Sequence, residues 1–311
     1  MRTIAHITNP VAVGPESDLF IAQPITFETM RLAQAAAKGR VAVELYSAQF
    51  AADRPMVPPW LQITPDLERS VLDVAPIKIH RPLPLIKDIL DRLVAATQAD
   101  YLIYTNVDIA VMPQFYVAVD GLLSSGYDAV VINRRTVTAA YTRLEEIALM
   151  MAQIGEPHPG YDCFVFKRAA YPHFSLGTTC IGADHIGKVM LVNLFQQAAC
   201  FKIFTDLHLT FHLGDAQVAK RAIYNELHAH NAAQLRQILS RNGWLDRPVP
   251  HPEIERVVQG VKAKNWGQRL RLQYWRVRQL VSNHTHVWAV LTAGIIFVMG
   301  WRLGRRRTST D

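Results

Sequence analysis

The sequence predicts an α/β domain with a mostly parallel central sheet flanked by helices, followed by a helical, basic C-terminal tail. Apolar runs of strand length alternate with segments of helical periodicity up to residue 215, as in a sheet whose strands are joined by helices. The strand runs are almost continuously apolar, as expected for parallel strands covered on both faces. With 50% hydrophobic and 19% charged residues among 311, the chain has ample material for a core.

Breaks in the pattern delimit the predicted elements. Pro10 ends the first strand, Gly39 separates the first helix from the second strand, and Pro84 suits the start of the second helix. In chain order we predict a strand at 3–13, a helix at 25–37, a strand at 41–48, a helix at 83–98, a strand at 100–107, a helix at 113–124, a strand at 127–134, a helix at 139–154, a strand at 162–168, a helix at 183–198 and an extended stretch at 201–213. A polar, helical extension is predicted at 216–265.

The net charge of +7 belongs to the C-terminal end of the chain. From Lys262 to Arg307 there are ten lysines and arginines and no acid, so the rest of the protein is slightly acidic. A basic tail of this kind favours an anionic membrane surface over a DNA-reading face, and no nucleic-acid partner is expected.

The tail also contains the apolar run that a membrane anchor needs. Residues 287–301 are fifteen positions without a charge, about 22 Å long as a helix against a hydrocarbon core of roughly 30 Å. Residues 265–281 place aromatic and aliphatic side chains at helical spacing among arginines, as on a helix lying in the interface. We therefore expect residues 266–311 to bind membrane lipids, by a shallow or a spanning insertion. A C-terminal helix packed on the domain is the alternative.

Several common site types are disfavoured by the motifs. No GxGxxG follows the first strand and no GxxxxGK[ST] occurs, which counts against a dinucleotide-binding Rossmann domain and a P-loop nucleotidase. The three cysteines, Cys163, Cys180 and Cys200, show no CxxC spacing, which favours a reduced, cytosolic compartment.

A polar pair ends the apolar strand of "DYLIYTNVDIAVMP". Asn106 and Asp108 lie two residues apart, so in extended chain their side chains point to one side. Ligands of open α/β sheets bind beyond the carboxyl ends of strands. A carboxylate and an amide oxygen there could share a hard cation that in turn binds a diphosphate. The pair could equally form an Asx turn or cap the next helix.

The helix containing Lys87, the strand "ADYLIYTNVDIAVMP" and the strand "YDAVVINR" together resemble the GT-A type of glycosyltransferase, over roughly residues 1–215. The hallmark of that family is a D-x-D motif at this position. The resemblance implies that Asp108 is the second acid, the metal ligand that bridges the diphosphate of a nucleotide sugar. Asn106 replaces the first acid as a weaker ligand of the same Mg²⁺ or Mn²⁺.

The same resemblance implies roles for acids and a histidine further along the chain. Asp184, after Gly182 at a helix start, is the candidate catalytic base, with His185 as a partner; N-capping is the alternative. Asp162, at the start of a strand, would orient an acceptor hydroxyl, unless it only bonds to the preceding loop. His212 corresponds to the last metal ligand of the family, although a buried histidine bonded to the backbone is also common.

For the nucleotide, the resemblance implies binding at the end of the first strand. Thr8 and Asn9 would contact base and ribose, and Arg81 and Lys87 would neutralise the diphosphate. Either cation could instead be an ordinary surface charge.

The resulting hypothesis is a glycosyltransferase at the cytoplasmic face of a membrane. It divides the chain into a nucleotide-sugar-binding domain at 1–215, a helical extension at 216–265 and a membrane-attached segment at 266–311. The neutral Asn106 favours an alternative, a catalytically inactive, membrane-anchored binding or scaffold protein. A nucleotidyltransferase is disfavoured because no Gly-rich, basic loop follows the first strand.

Overall fold

The computed structural model describes residues 1–78, 81–214 and 224–263. The chain divides into two compact units, Met1–Gly243 and Trp244–Asp311. The first unit is an α/β fold with a mixed central sheet flanked by helices. The described part of the second contains one helix, Pro252–Lys262. The domain boundaries predicted at 215 and 265 stay predictions, and the tail predicted at 266–311 lies outside the described residues.

Strands and helices alternate through the first unit, as the apolar pattern predicted. In chain order the elements are β1 (Thr3–Thr8), α1 (Leu19–Ala36), β2 (Ala42–Ser47), β3 (Gln62–Ile63), α2 (Ile86–Ala96), β4 (Tyr101–Thr105), β5 (Ala110–Val111), α3 (Phe115–Ser124), β6 (Ala129–Ile132), β7 (Arg135–Val137), α4 (Ile147–Met151), β8 (Glu156–Pro157), β9 (Cys163–Lys167), α5 (Ile186–Gln197), β10 (Phe201–Phe204), β11 (Thr210–Leu213), α6 (Asn225–Arg241) and, in the second unit, α7 (Pro252–Lys262). Short 3₁₀ helices cover Ala51–Met56, Val71–Asp73, Leu144–Glu146 and Arg168–His173.

The main sheet has seven strands in the order β10-β6-β9-β4-β1-β2-β3. β9 runs antiparallel to both of its neighbours, β4 and β6, while the other neighbouring strands are parallel. The sheet is therefore mixed, with one reversed strand. Because of that reversal the start of β9, not its end, lies beside the ends of β4 and β6.

A second, four-stranded sheet, β5-β11-β7-β8, was not predicted. The extended stretch predicted at 201–213 is wrong as one strand: β10 joins the main sheet and β11 joins the small one. His208 lies at the break between the two strands with a left-handed φ of 48°. The helix predicted at 139–154 is also wrong. Its apolar spacing reflects burial of Ile147 and Met150, while only α4 and a 3₁₀ turn are helical.

The main core lies between the sheet and one helical face. Phe27 and Met30 of α1 and Phe115 and Val119 of α3 pack with inward residues of β1, β4, β6 and β9. The alternate residues of each strand face the other side of the sheet. There Phe166 packs against Phe174, with 5.0 Å between the ring centroids. Covered on both faces, the strands accept the nearly continuous apolar sequence from which they were predicted.

Within the described ranges, no helix is long and apolar enough to cross a bilayer.

Candidate functional site at the carboxyl edge of the main sheet

The pairing register places polar residues side by side where the apolar strands end. Thr105 of β4 is opposite Cys163 of β9, and Cys163 is opposite Ile132 of β6. One residue further out, Asn106, Asp162 and Asn133 therefore form a row. The register of Ile7 with Tyr104 adds Asn9 at the level of Asn106. We call this row and its neighbours Asp108, Arg134 and His212 the carboxyl-edge site.

Asp108 and His212 are brought together at this edge across 104 residues of sequence. The Nε2 atom of His212 lies 3.2 Å from Oδ2 of Asp108, and Nδ1 lies 2.8 Å from the carbonyl oxygen of Gly214. β11 carries His212 to this position because it pairs with β5, which begins two residues after Asp108. The backbone carbonyl orients the imidazole so that Nε2 faces the carboxylate.

Opposing effects set the charge of this buried pair. Burial alone raises the pKa of Asp108, but the hydrogen bond and charge of His212, together with the positive Arg134, leave it below its usual value. Burial alone lowers the pKa of His212, and the contact with Asp108 outweighs this so that its pKa is raised. The pair thus favours the charged forms of both groups. Arg134 is close enough to act on both of them.

Asp162 forms a buried ion pair with Arg134, a residue that the sequence analysis missed. Nη1 of Arg134 lies 3.0 Å from Oδ1 of Asp162, and the two side chains are 7% and 9% exposed. His158 lies beside them, with Nδ1 at 3.6 Å from Oδ2 of Asp162. Asn133 and Arg134 directly follow β6. The strand-end rule that identified Asn106 would have found them, had the predicted strand not run to residue 134.

Asn106 is engaged by its own strand. The hydroxyl of Tyr104 donates to Oδ1 of Asn106 at 2.7 Å. Burial raises the pKa of Tyr104, so this hydroxyl keeps its proton. Thr8 and Asn9, at the end of the neighbouring β1, are both buried. Because β1 pairs with β4, Thr8 and Asn9 lie beside Asn106 at this edge of the sheet.

Asp184 does not cap α5, contrary to the N-capping alternative. The residue preceding the helix is His185, which has a left-handed φ of 75° and makes no side-chain capping bond. The backbone of Asp184 is held instead by α6, because its N–H donates to Nδ1 of His228 and its carbonyl accepts from Asn231, both at 3.0 Å. The Asp184 side chain is 65% exposed. A left-handed non-glycine residue is strained by about 1–2 kcal/mol, and such strain often marks functional loops.

The start of α5 lies against the residue that precedes Asp162. A Cβ atom added to Gly187 would meet the carbonyl oxygen of Tyr161 at 2.7 Å, so only glycine allows this approach. The start of α5, which follows Asp184 in the chain, is therefore near the Asp162 end of the carboxyl-edge site.

Arg81 and Lys87 precede and begin α2, and both have protein partners. Nη1 of Arg81 donates to the hydroxyl of Tyr224 at 2.5 Å. Nζ of Lys87 lies 2.5 Å from Asp91 on the same helix, and its side chain is 47% exposed. The structure brings neither cation into contact with Asp108, Asn106 or His212 through any described bond.

Unpaired buried polar atoms concentrate at the carboxyl-edge site. Eight buried side-chain nitrogen or oxygen atoms lack a hydrogen-bond partner in the described part of the chain. Five of them, Thr8 Oγ1, Asp108 Oδ1, Asn133 Oδ1, Arg134 Nε and Asp162 Oδ2, belong to this edge. Buried polar groups are nearly always paired, and leaving one unpaired costs about 1–3 kcal/mol. Their concentration indicates a surface arranged to bond to a group outside the described residues.

The donors near Asp108 fit a hard divalent cation with few protein ligands. Oδ1 of Asp108 is unpaired, and His212 presents Nε2 to the same carboxylate. Oδ1 of Asn106 accepts the Tyr104 hydroxyl with one lone pair and keeps a second that could face a cation. The described residues contain no group of three or more His, Cys, Asp or Glu side chains placed to hold a metal. Mg²⁺ commonly takes one or two protein ligands and completes its shell with phosphate and water oxygens.

Fold and site together define an α/β protein with a polar, partly unpaired site at the carboxyl edge of its main sheet. No protein-family model and no curated protein matches the sequence. Among solved structures, residues 1–349 of Staphylococcus aureus TarS in complex with UDP-GlcNAc match with 8% identity and a TM-score of 0.44, covering 90% of this chain and 88% of that one. Glucosyl-3-phosphoglycerate synthase from Mycobacterium tuberculosis, in complex with Mn²⁺, UDP and phosphoglyceric acid, matches with 18% identity and a TM-score of 0.44, covering 80% of each chain. These values are too low to transfer a ligand or a residue's role.

Proposed function

We propose that this chain is a glycosyltransferase that takes a sugar from a nucleotide diphosphate donor and transfers it to a hydroxyl acceptor. The observation that carries the proposal is the Asp108–His212 contact of 3.2 Å at the end of β4, with the second oxygen of Asp108 buried and unpaired. A carboxylate and an imidazole meeting at a strand end suit a cation that binds a diphosphate.

In this proposal Asp108, His212 and, more weakly, Asn106 would hold Mg²⁺ or Mn²⁺. Binding of the ion would release the proton that Nε2 of His212 shares with Asp108, because a metal ligand must be deprotonated. The ion would supply positive charge that stabilises the departing nucleoside diphosphate. Thr8 and Asn9 contact base and ribose at the end of β1. Arg81 and Lys87 remain proposed diphosphate contacts, although each would have to exchange its present partner.

Asp184 accepts the proton of the acceptor hydroxyl, and Asp162 orients that acceptor. As the acceptor oxygen bonds to the anomeric carbon, the bond from that carbon to the diphosphate oxygen breaks and the diphosphate leaves with the electron pair. The exposed carboxylate of Asp184, on a backbone held from both sides, suits a group that must meet a second substrate.

One observation favours a second function, that of a catalytically inactive binding or scaffold protein. Asn106 carries no charge, and its oxygen already accepts the Tyr104 hydroxyl. A site built this way would bind a nucleotide sugar without activating it. Ligand binding without turnover would distinguish this function from the first.

A thermal-shift screen of the full chain against nucleotide diphosphosugars, with and without Mn²⁺, tests the proposal. A ligand at 100 times its dissociation constant should stabilise the protein by about 2.7 kcal/mol. Asp108→Asn should remove the Mn²⁺-dependent part of that stabilisation, whereas Asp246→Asn, at an exposed aspartate of the second unit, should retain it. If Asp108→Asn responds like the parent protein, Asp108 has a structural role only.

Membrane attachment is proposed from the sequence of residues 266–311 alone. It would hold the catalytic domain at the cytoplasmic face, where nucleotide sugars and membrane lipids meet.

A further inference from the structure

Arg134 is a buried arginine of the carboxyl-edge site. It follows β6 directly, and its side chain is 7% exposed. An arginine so deeply buried requires a partner for its charge. Asp162 supplies the negative charge but engages the guanidinium through one oxygen only, and Nη2 of Arg134 lies 3.4 Å from Nε2 of His158.

The Arg134–Asp162 pair is not self-contained. Two parallel bonds are common between a guanidinium and a carboxylate that serve only each other. Here Nε of Arg134 and Oδ2 of Asp162 are both buried without a hydrogen-bond partner among the described residues. One donor and one acceptor of the pair therefore remain available to a third group. Asn133, the preceding residue, adds a second unpaired acceptor oxygen.

The charges around Arg134 define the kind of group that would fit. An N–H of a guanidinium bonds best to an anionic oxygen, while the carboxylate and amide oxygens beside it require hydroxyl donors. The positive charge of Arg134 also reaches Asp108, since it helps to lower the pKa of that carboxyl. A ligand with both an anionic oxygen and hydroxyls matches this pattern better than a neutral sugar does.

We propose that Arg134 is the anion-binding residue of the carboxyl-edge site and that it receives a phosphate- or carboxylate-type oxygen of a hydroxyl-bearing substrate. This inference deepens the proposed function. Anion binding by Arg134 does not depend on that function, but the assignment of the anion to a sugar donor or to an acceptor does. Two sources share this chemistry: the diphosphate of the donor, and an anionic group on the acceptor. The proposed donor contacts lie at the ends of β1 and β4. Arg134 follows β6, which is two strands from β4 on the side away from β1, so the order of the strands favours the acceptor as the source of the anion.

Isothermal titration of the full chain in mild detergent, with inorganic pyrophosphate plus Mg²⁺ and separately with inorganic phosphate, tests the proposal. Arg134→Gln alone leaves Asp162 buried without its partner and could unfold the protein. The main variant is therefore Arg134→Gln with Asp162→Asn, which removes both charges. We expect it to bind anion about 10- to 100-fold more weakly, as for the loss of a charged hydrogen bond.

Three further variants control the result. Asp162→Asn alone keeps Arg134 and is compared only if circular dichroism shows it folded; it should then bind anion at least as tightly as the parent, because the guanidinium has lost its carboxylate partner. Arg135→Gln removes the same charge one residue later, where the guanidinium bonds to the carbonyl oxygen of Gly155 at 2.7 Å, and should stay within about twofold. If the double variant does not fold, as judged by circular dichroism, Arg134→Lys replaces it, because it keeps the charge but lacks Nε–H. It should lose about tenfold.

The two probes separate the sources of the anion. Weakened pyrophosphate binding assigns Arg134 to the donor diphosphate, whereas weakened phosphate binding with pyrophosphate unchanged assigns it to the acceptor. The inference is overturned if the parent binds neither probe, or if the folded variant binds both as the parent does. Stabilisation by nucleotide sugars is measured separately. If the protein binds phosphate through Arg134 but binds no nucleotide sugar, the proposed function is contradicted and the anion site is supported.

Discussion

A single residue beyond each strand end determines the character of this site. β4 and β6 are buried to their last residues, Thr105 and Ile132, and the next residues, Asn106 and Asn133, carry polar amides. Buried polar atoms must be paired, so each such residue requires a partner from elsewhere in the chain or from a ligand. The side-chain oxygen of Asn106 accepts from Tyr104, while the side-chain oxygen of Asn133 has no partner among the described residues. The unpaired side-chain oxygen of Asn133 is therefore open to a ligand, whereas that of Asn106 already has one protein partner.

His6 illustrates a polar residue whose needs are met entirely within the core. It is fully buried on β1, with Nδ1 2.8 Å from the hydroxyl of Tyr116 and Nε2 2.9 Å from that of Thr105. Burial lowers the pKa of His6 to about 3. Between the ordinary histidine pKa of about 6.5 and this value, the unfolded chain binds a proton that the folded chain does not.

We therefore predict that the free energy of unfolding falls as the pH drops below about 6.5, with His6 contributing up to about 1.4 kcal/mol per pH unit. His6→Gln removes the titrating group and should flatten this dependence between pH 6.5 and 4, measured by urea unfolding. His173→Gln, at an exposed histidine, is the control and should keep the parent slope. If the free energy of unfolding depends on pH with the same slope in the parent and both variants, His6 does not bind a proton preferentially in the unfolded state.

At the scale of whole elements, α6 is an integral part of the first compact unit. The sequence predicts it as part of a polar extension, yet Asn231 is fully buried and bonds to both backbone groups of Cys180, at 3.0 and 2.9 Å, and to the carbonyl of Asp184. His230 and Gln234 bond to the backbone of Thr178 in the same way. The helix thus fixes the loop that carries Asp184.

Asn231→Ala should destabilise the protein by about 1–3 kcal/mol, because it leaves buried backbone groups of this loop without partners. Urea unfolding measures the effect, and hydrogen exchange locates it, with faster exchange expected at 178–186 and unchanged exchange in β1 and β4. Gln237→Ala is the control, because that amide side chain is exposed on the same helix, and should change stability by no more than about 0.5 kcal/mol. Uniformly faster exchange in the Asn231 variant would contradict a local role for α6.

At the scale of the whole molecule, charge is divided unequally along the chain. The ten lysines and arginines from Lys262 to Arg307 exceed the net charge of +7, so the α/β unit itself is not basic. A basic segment that surrounds a fifteen-residue apolar run favours contact with anionic lipid rather than with nucleic acid.

Deleting residues 266–311 removes eight of these ten charges and the uncharged run at 287–301. We predict that the shortened protein folds and stays in the supernatant, while the full chain sediments with membranes. A wash with 1 M salt reduces the Debye length from about 10 Å at 0.1 M to about 3 Å and weakens adsorption by arginines, but not insertion of apolar residues. We expect the full chain to resist salt and to be released by detergent. Release by salt alone would exclude insertion, and a full chain that never sediments would exclude attachment.

The sequence by itself determined the features that depend on neighbouring residues. Continuous apolar runs marked β1, β2, β4, β6 and β9, and helical periodicity marked α1, α2, α3 and α5, because burial imposes these patterns locally. The placement of Asn106 and Asp108 at a strand end followed from the same signal. The roles assigned to Asp184, Asp162, Thr8 and Asn9 remain predictions.

Only the tertiary structure decided which distant residues meet. The run Cys163–Lys167 is equally apolar in either direction, and pairing with β4 and β6 reverses it, so that Asp162 joins the row at the carboxyl edge. The contact of His212 with Asp108 depends on β11 joining a second sheet beside β5. Strand direction and sheet membership are set by hydrogen bonds between segments far apart in sequence, and no local pattern encodes them.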